Sequence, residues 1–175
     1  MWCGLNMRND KLGKDYFNRY CVDVARDLLG QRLIFGPYQG IIIETEAYRG
    51  ADDPASHSYK GPTPRSAIMF GEPGVSYVYF IYGMYHCLNI VTEDLHNPSA
   101  VLIRGIKLIT PETKLLNGPG KICRELGITR DHSGFDLTQH NDFYIAQGEK
   151  VEHFEVTPRI GIKVATDKLW RFVVK

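Results

Sequence analysis

Between Tyr16 and Leu29, Phe17, Tyr20, Cys21, Val24, Ala25 and Leu28 recur at helical spacing, which predicts an amphipathic helix closed by Gly30. Arg32 to Phe35 is a short strand, the turn residues Gly36 to Gly40 follow, and Ile41 to Tyr48 returns, which predicts a hairpin. On strand alternation Ile42, Glu44, Glu46 and Tyr48 share one face, and Ile43, Thr45 and Ala47 the other. Carboxylates in the continuation of an apolar strand cost stability unless paired or solvated. Either an edge strand runs out into water here or the strand builds a site. Arg49 to Pro64 is a long loop rich in Asp, Ser, Gly and Pro, and loops of that length in a compact domain are functional or disordered. Its one histidine, His57, stands between Ser56 and Ser58.

Ser66 to Phe70 is short and apolar, and Gly71 to Gly74 makes a turn. From Tyr77 to Val91 the aromatic density is the highest in the chain; Gly83 near its middle predicts a hairpin with Tyr82, Gly83 and Met84 at the tip. Val78, Phe80, Leu88 and Ile90 suit a sheet core. A Tyr and a Met at a tip face water unless something covers them. Val101 to Ile103 predicts a strand ending in Arg104, and Gly118-Pro119-Gly120 a turn before a helix from Lys121 to Leu126. These glycines and Lys121 resemble a phosphate-binding loop leading into a helix N-terminus, although no Walker motif is present. Further strands are predicted at Asp142 to Ala146 and Lys168 to Val174, with a Thr157 to Ile162 segment between them. With no repeat and no linker composition, the expectation is one α+β domain over residues 1–175: a curved, mostly antiparallel sheet, a protruding hairpin and flanking helices.

At 175 residues one core can form, and a net charge of +1 does not announce a polyanionic partner. The charge is unevenly spread. Arg104, Lys107, Lys114, Lys121, Arg124 and Arg130 face only Glu112 and Glu125 in one segment, and His57 to Met69 carries Lys60 and Arg65 with no acid. Such patches fit either a polyanion contact or ordinary solvated surface. Cys3, Cys21, Cys87 and Cys123 have neither Cys-x-x-Cys nor zinc spacing, so free thiols and no metal are expected. The start Met1 to Asn6 lacks a signal pattern and no apolar run reaches membrane length, which places the chain in the cytoplasm with no membrane contact.

The unusual residues are Glu46, Tyr48, His57, Tyr79, Tyr82, Asn89 and Arg104. A carboxylate kept ionised by a nearby arginine can act as a general base on water. Aromatic rings can sandwich a planar group, and an asparagine can test its edge. Together with basic loops, these suggest hydrolysis at a nucleobase.

The segments Glu44-Thr45-Glu46-Ala47-Tyr48, Asp53 to Ser58, Thr63-Pro64-Arg65, Met69-Phe70, Tyr77 to Met84, Cys87-Leu88-Asn89, Leu102-Ile103-Arg104 and Asn117 to Lys121 resemble, in order, the alkyladenine (3-methyladenine) DNA glycosylase family. The resemblance implies a base-excision-repair enzyme without cofactor, acting as a monomer on double-stranded DNA at the bacterial nucleoid. It implies Glu46 as the base on water, helped by Arg104; Tyr48, His57 and Tyr79 as pocket walls; and Asn89 as the group that crowds the amine of normal guanine. Tyr82 would enter the minor groove as a wedge. Arg65, Met69, Met84, Leu102, Lys121 and the backbone near Ile162 are implied as further pocket or DNA-backbone contacts. Glu44 reads as scaffold. Ser66 replaces the family's usual Asn, and Gly105-Ile106-Lys107 its Ala-Leu-Glu. Two alternatives stay open: a non-catalytic nucleic-acid module using its tyrosines as stacking platforms, and a nucleoside hydrolase.

Overall fold

The computed structural model describes residues 10–175. Cys3 and the Met1 to Asn6 start lie outside the described residues. In chain order the elements are α1 (Lys14–Phe17), α2 (Cys21–Asp27), β1 (Arg32–Phe35), β2 (Tyr38–Arg49), β3 (Ser76–Ile81), β4 (Tyr85–Thr92), β5 (Ser99–Thr110), β6 (Lys114–Asn117), α3 (Pro119–Leu126), β7 (Phe143–Ala146), β8 (Phe154–Thr157) and β9 (Arg171–Val174), with single 3-10 turns at Ala67–Phe70 and Arg130–His132.

Among the described residues all the strands join one nine-stranded, antiparallel sheet in the order β3-β4-β5-β2-β1-β7, with β6 on β5 and the β8–β9 pair on β2. The fold is α+β, as the mixture of hairpins and short helices predicts. Its spine is the pair of long strands β2 and β5. Along β2 the second neighbour changes from β1, at Tyr38 to Ile41, to β9, at Glu44 to Glu46. The carboxylates of β2 therefore have a strand on either side. The edge-strand explanation fails.

At this crossover the β2–β5 register slips twice: Ile42 pairs Ile106, Glu44 pairs Gly105 and Thr45 pairs Ile103, leaving Ile43 and Arg104 as bulged residues. The bulge overturns the expected alternation at one position. Ile42 belongs to the main core with Ala47, and Thr45 donates its hydroxyl to the Ala25 carbonyl of α2 at 2.7 Å, so Ile42 does not share the face of Glu44, Glu46 and Tyr48. Gly105 permits the close crossing, since a Cβ there would lie 3.1 Å from the Glu44 Cβ.

The single helix predicted from Tyr16 to Leu29 is two helices broken at Asn18 to Tyr20. The cause is distant in sequence: Glu93 caps α2 by accepting from the Cys21 N–H at 3.0 Å, and its own N–H donates to the Phe17 carbonyl at 3.0 Å. The main core joins Phe17, Val24 and Leu28 to Ile103 and Ile106 of β5 and to Ile122 and Leu126 of α3. Strands β6 and β8, absent from the sequence reading, are four residues each; Lys114-Leu115-Leu116-Asn117 of β6 lacks a period-two apolar pattern, whereas Phe154-Glu155-Val156-Thr157 of β8 alternates over those four residues alone. Cys21, Cys87 and Cys123 are free thiols. No helix among the described residues is long and apolar enough to cross a membrane.

Candidate active site

Glu46 lies on β2 with no solvent exposure, and each of its carboxylate oxygens has a donor. The Tyr48 hydroxyl donates to Oε1 at 2.7 Å, and the Ile160 backbone N–H donates to Oε2 at 2.7 Å. Arg104, turned inward by its bulge, brings Nη1 to 3.7 Å from Glu46 Oε1 while its Nε donates to Glu44 Oε2 at 3.0 Å. Glu44 also accepts from Arg171 Nε at 2.9 Å, so it organises two arginines around Glu46. Burial raises the Glu46 pKa above the ordinary carboxyl value; Arg104, the Ile160 N–H, the Tyr48 hydroxyl and Arg171 pull it back toward the ionised form. The balance leaves a carboxylate that takes a proton more readily than one in water.

Beside this group opens a cavity of about 480 Å³, in the size range of small-molecule sites. Tyr48 forms part of the wall, with the Arg159 guanidinium 4.7 Å from its ring centroid. Tyr79 of β3 and His57 of the long loop meet edge to face at 4.7 Å, and His57 Nδ1 is 3.1 Å from the Tyr77 hydroxyl. Desolvation first, and the Arg65 cation second, lower the His57 pKa, which favours the neutral ring. Asn89 is buried on the wall, its Nδ2 donating to the Tyr77 carbonyl at 3.2 Å and the Cys87 carbonyl at 3.3 Å. These bonds fix the orientation of its amide.

The loop carrying His57 is ordered by buried polar groups. Asp53 accepts from the Arg49 and Ala55 N–H groups, Ser56 and Ser58 bond each other at 2.9 Å, and Ser58 donates to the Pro98 carbonyl. Gly50 is required beneath it, since a Cβ there would overlap the Ser58 hydroxyl at 2.1 Å. Thr63 and Ser66 bond reciprocally and hold the turn from which Arg65 reaches over the Tyr79 ring at 4.9 Å.

At the mouth stands the β3–β4 hairpin. Tyr82 is 79% exposed and Met84 67% exposed, and the Met84 N–H closes the turn on the Ile81 carbonyl. Tyr82 has φ 56°, a left-handed conformation that costs energy for a residue with a Cβ, and Gly83 follows at φ 65°. Gly118, Gly120 and Lys121, at the start of α3, form the opposite lip. Gly120 lets α3 lie against Tyr85, whose ring would be 2.6 Å from a Cβ.

Of the residues singled out in the sequence, Tyr48, His57, Met69, Tyr79, Tyr82, Asn89, Leu102, Arg104, Lys121 and Ile162 line this one cavity. Glu46 lies behind its wall, and Arg65 covers Tyr79. Met84 is at the hairpin tip and not in the wall. Met69 and Leu102 are buried, Met69 in a small cluster with Tyr77, Val91 and Ala100 that supports the floor. The backbone group at Glu46 belongs to Ile160, two residues before the one singled out. Tyr77, Asp53 and Arg159 were missed as well: Tyr77 was given no role of its own within the aromatic segment, and the other two acquire meaning only through a contact 106 positions apart. Of the basic residues, Arg104 points inward and Lys114 is paired with Glu125 at 3.1 Å. Among the described residues no His, Cys, Asp and Glu cluster could hold a metal.

The methylpurine-DNA glycosylase family model matches residues 15–175. Among relatives assigned by inference as 3-methyladenine DNA glycosylases, one from Sodalis glossinidius is 54% identical over 166 residues, covering 95% of this chain and 98% of that protein. One from Ehrlichia ruminantium is 53% identical over 167 residues, covering 93% and 88%. A third, from the Wolbachia of Brugia malayi, is 49% identical over 168 residues, covering 96% and 99%. The chain belongs to the methylpurine-DNA glycosylase family, enzymes that hydrolyse the N-glycosyl bonds of alkylated purines in DNA.

Proposed function

We propose that this chain flips 3-methyladenine from duplex DNA into the cavity and hydrolyses its N-glycosidic bond with a water activated by Glu46, leaving an abasic site. The observation that carries the reading is the buried Glu46 carboxylate, ringed by Tyr48, Ile160 N–H and Arg104 beside an aromatic cavity. A purine alkylated at N3 or N7 carries positive charge and departs without an acid, so one base and one water suffice where ordinary glycosidases use two carboxylates. Arg104 keeps Glu46 ionised and orients the water. Tyr48 and Tyr79 stack on the flipped base, His57 bonds it, and Asn89 excludes the exocyclic amine of a normal guanine. Tyr82 fills the gap left in the helix.

Selectivity then comes partly from the duplex, since flipping costs least for a weakly paired lesion, and partly from the wall. On this reading 7-methylguanine, hypoxanthine and ethenoadenine are further candidate substrates. Lys121, solvent-exposed at the mouth, suits a phosphate, and base removal proceeds without strand cleavage.

The test is free-base release from duplexes holding each lesion, by wild type and Glu46→Gln. Release of 3-methyladenine by wild type and its loss in Glu46→Gln, with binding to an abasic analogue retained, supports the reading. Unchanged release by Glu46→Gln removes Glu46 from its role. Binding without any base release would instead indicate a stacking module, and release from free nucleosides alone a nucleoside hydrolase.

A further inference from the structure

Arg159 and Asp53 form an ion pair with no solvent exposure on either side chain. The guanidinium donates to both Asp53 oxygens, at 2.6 Å and 2.8 Å, and to the Ala47 carbonyl at 2.9 Å, and it lies between the rings of Tyr48 and Trp170 at 4.7 Å and 5.2 Å. Its Nε is buried with no partner. A buried pair of this kind is weak evidence for a role in stability alone, because apolar replacements of similar volume are often tolerated.

What the pair touches is more informative. Arg159 directly precedes Ile160, whose N–H holds Glu46 Oε2, and it contacts the ring of Tyr48, whose hydroxyl holds Oε1. Ala47, which it grips, lies between Glu46 and Tyr48 on β2. Asp53 anchors the start of the loop that carries His57. We infer that Arg159 and Asp53 are positioning residues that set both hydrogen bonds to Glu46 and tie that carboxylate to the base-gripping loop. The inference rests on the proposed role of Glu46 as base.

The bidentate fork and the two ring contacts need a planar guanidinium, so Arg159→Lys keeps the charge and loses the geometry. Glu46 is faced by Arg104 from β5, Arg171 from β9 and Tyr48 from its own strand; neither arginine is changed by this substitution. The experiment uses the full chain and single-turnover release of 3-methyladenine from methylated duplex across pH, with thermal unfolding and affinity for an abasic analogue measured alongside. Loosening the Ile160 and Tyr48 bonds removes interactions that favour the carboxylate, so the acidic limb is expected at higher pH. Release is expected to fall by about tenfold to a hundredfold, the scale of a misplaced catalytic group, with analogue affinity retained. Ile160→Pro deletes the same N–H while leaving both side chains of the buried pair in place, and is expected to move the limb in the same direction; it decides the matter if Arg159→Lys does not fold. A folded Arg159→Lys with the wild-type rate, or with the limb unmoved, overturns the inference, as does Ile160→Pro with a wild-type limb. An unmoved limb combined with an inactive Glu46→Gln removes the positioning pair alone. An active Glu46→Gln removes the base reading beneath it.

Discussion

Glu46 carries the conflict on which this site depends. A buried carboxylate is expensive, and here the expense is reduced but not removed by an arginine, a hydroxyl and a backbone N–H. Because the folded pKa is raised, the folded state binds the proton more readily than the unfolded chain. The ionised group therefore costs stability above its folded pKa, and that cost is absent below the unfolded pKa. Glu46→Gln is expected to raise the melting temperature at neutral pH, with the gain shrinking as pH falls into the carboxyl range. The same substitution should lower single-turnover release by about 100-fold or more, the usual scale for a general base. In the wild type the acidic limb of release should lie at higher pH than an unperturbed glutamate would give, readable from single-turnover rates against pH. Glu46 and Arg104 were legible as single residues because a charge beside branched aliphatics is out of place in any strand, and Tyr48 because it shares the strand face of Glu46. Arg159 was not, because an arginine after a proline is unremarkable until its partner is known.

At the scale of elements, the hairpin and the loop illustrate two kinds of order. The tip was legible from Gly83 and its aromatic flanks, and the structure adds that Tyr82 is itself left-handed. A residue held in that conformation at an exposed tip fits a side chain retained for contact with DNA. Tyr82→Gly removes the Cβ strain, so stability is expected to stay level or rise by up to about 1 kcal/mol, measured by chemical unfolding. Retention of the flipped state should nonetheless weaken, readable as faster dissociation from an abasic-analogue duplex. The long loop, by contrast, read as either functional or disordered, and it is ordered, anchored by Asp53, Ser56 and Ser58, all buried. Gly50→Ala should push Ser58 aside, since the added Cβ has no room; a loss of about 1–3 kcal/mol is expected, as for other overpacked sites, together with weaker binding of the flipped base. The bulges at Ile43 and Arg104 were not read from the sequence, which ended that strand at Arg104; Gly105 is their one local trace, and its meaning depends on the register with β2.

For the whole molecule, the near-zero net charge hides an oriented surface. Lys121 at the lip and Arg65 above Tyr79 flank the cavity mouth and the exposed hairpin, whereas Lys114 is spent on Glu125. Lys121→Ala is expected to weaken binding to lesion-bearing and intact duplexes alike and to reduce the slope of log affinity against log salt by about 1, measured by titration at several salt concentrations. Lys114→Ala should leave that slope nearly unchanged. By itself the sequence determined the β1–β2 and β3–β4 hairpins with their turns, the exposed aromatic tip and the types of residue able to do the chemistry, because these depend on local alternation, glycine and proline positions, and misplaced charge. Tertiary structure decided the rest. Which carboxylate is wholly enclosed, which arginine turns inward, and how the His57 loop meets Arg159 and Glu46 meets Ile160 depend on strand register and on pairs more than 100 positions apart. No local pattern encodes such contacts. The opening question about Glu44 and Glu46 on one strand was settled by β9, which arrives from the other end of the chain, covers that edge and brings Arg171 to Glu44.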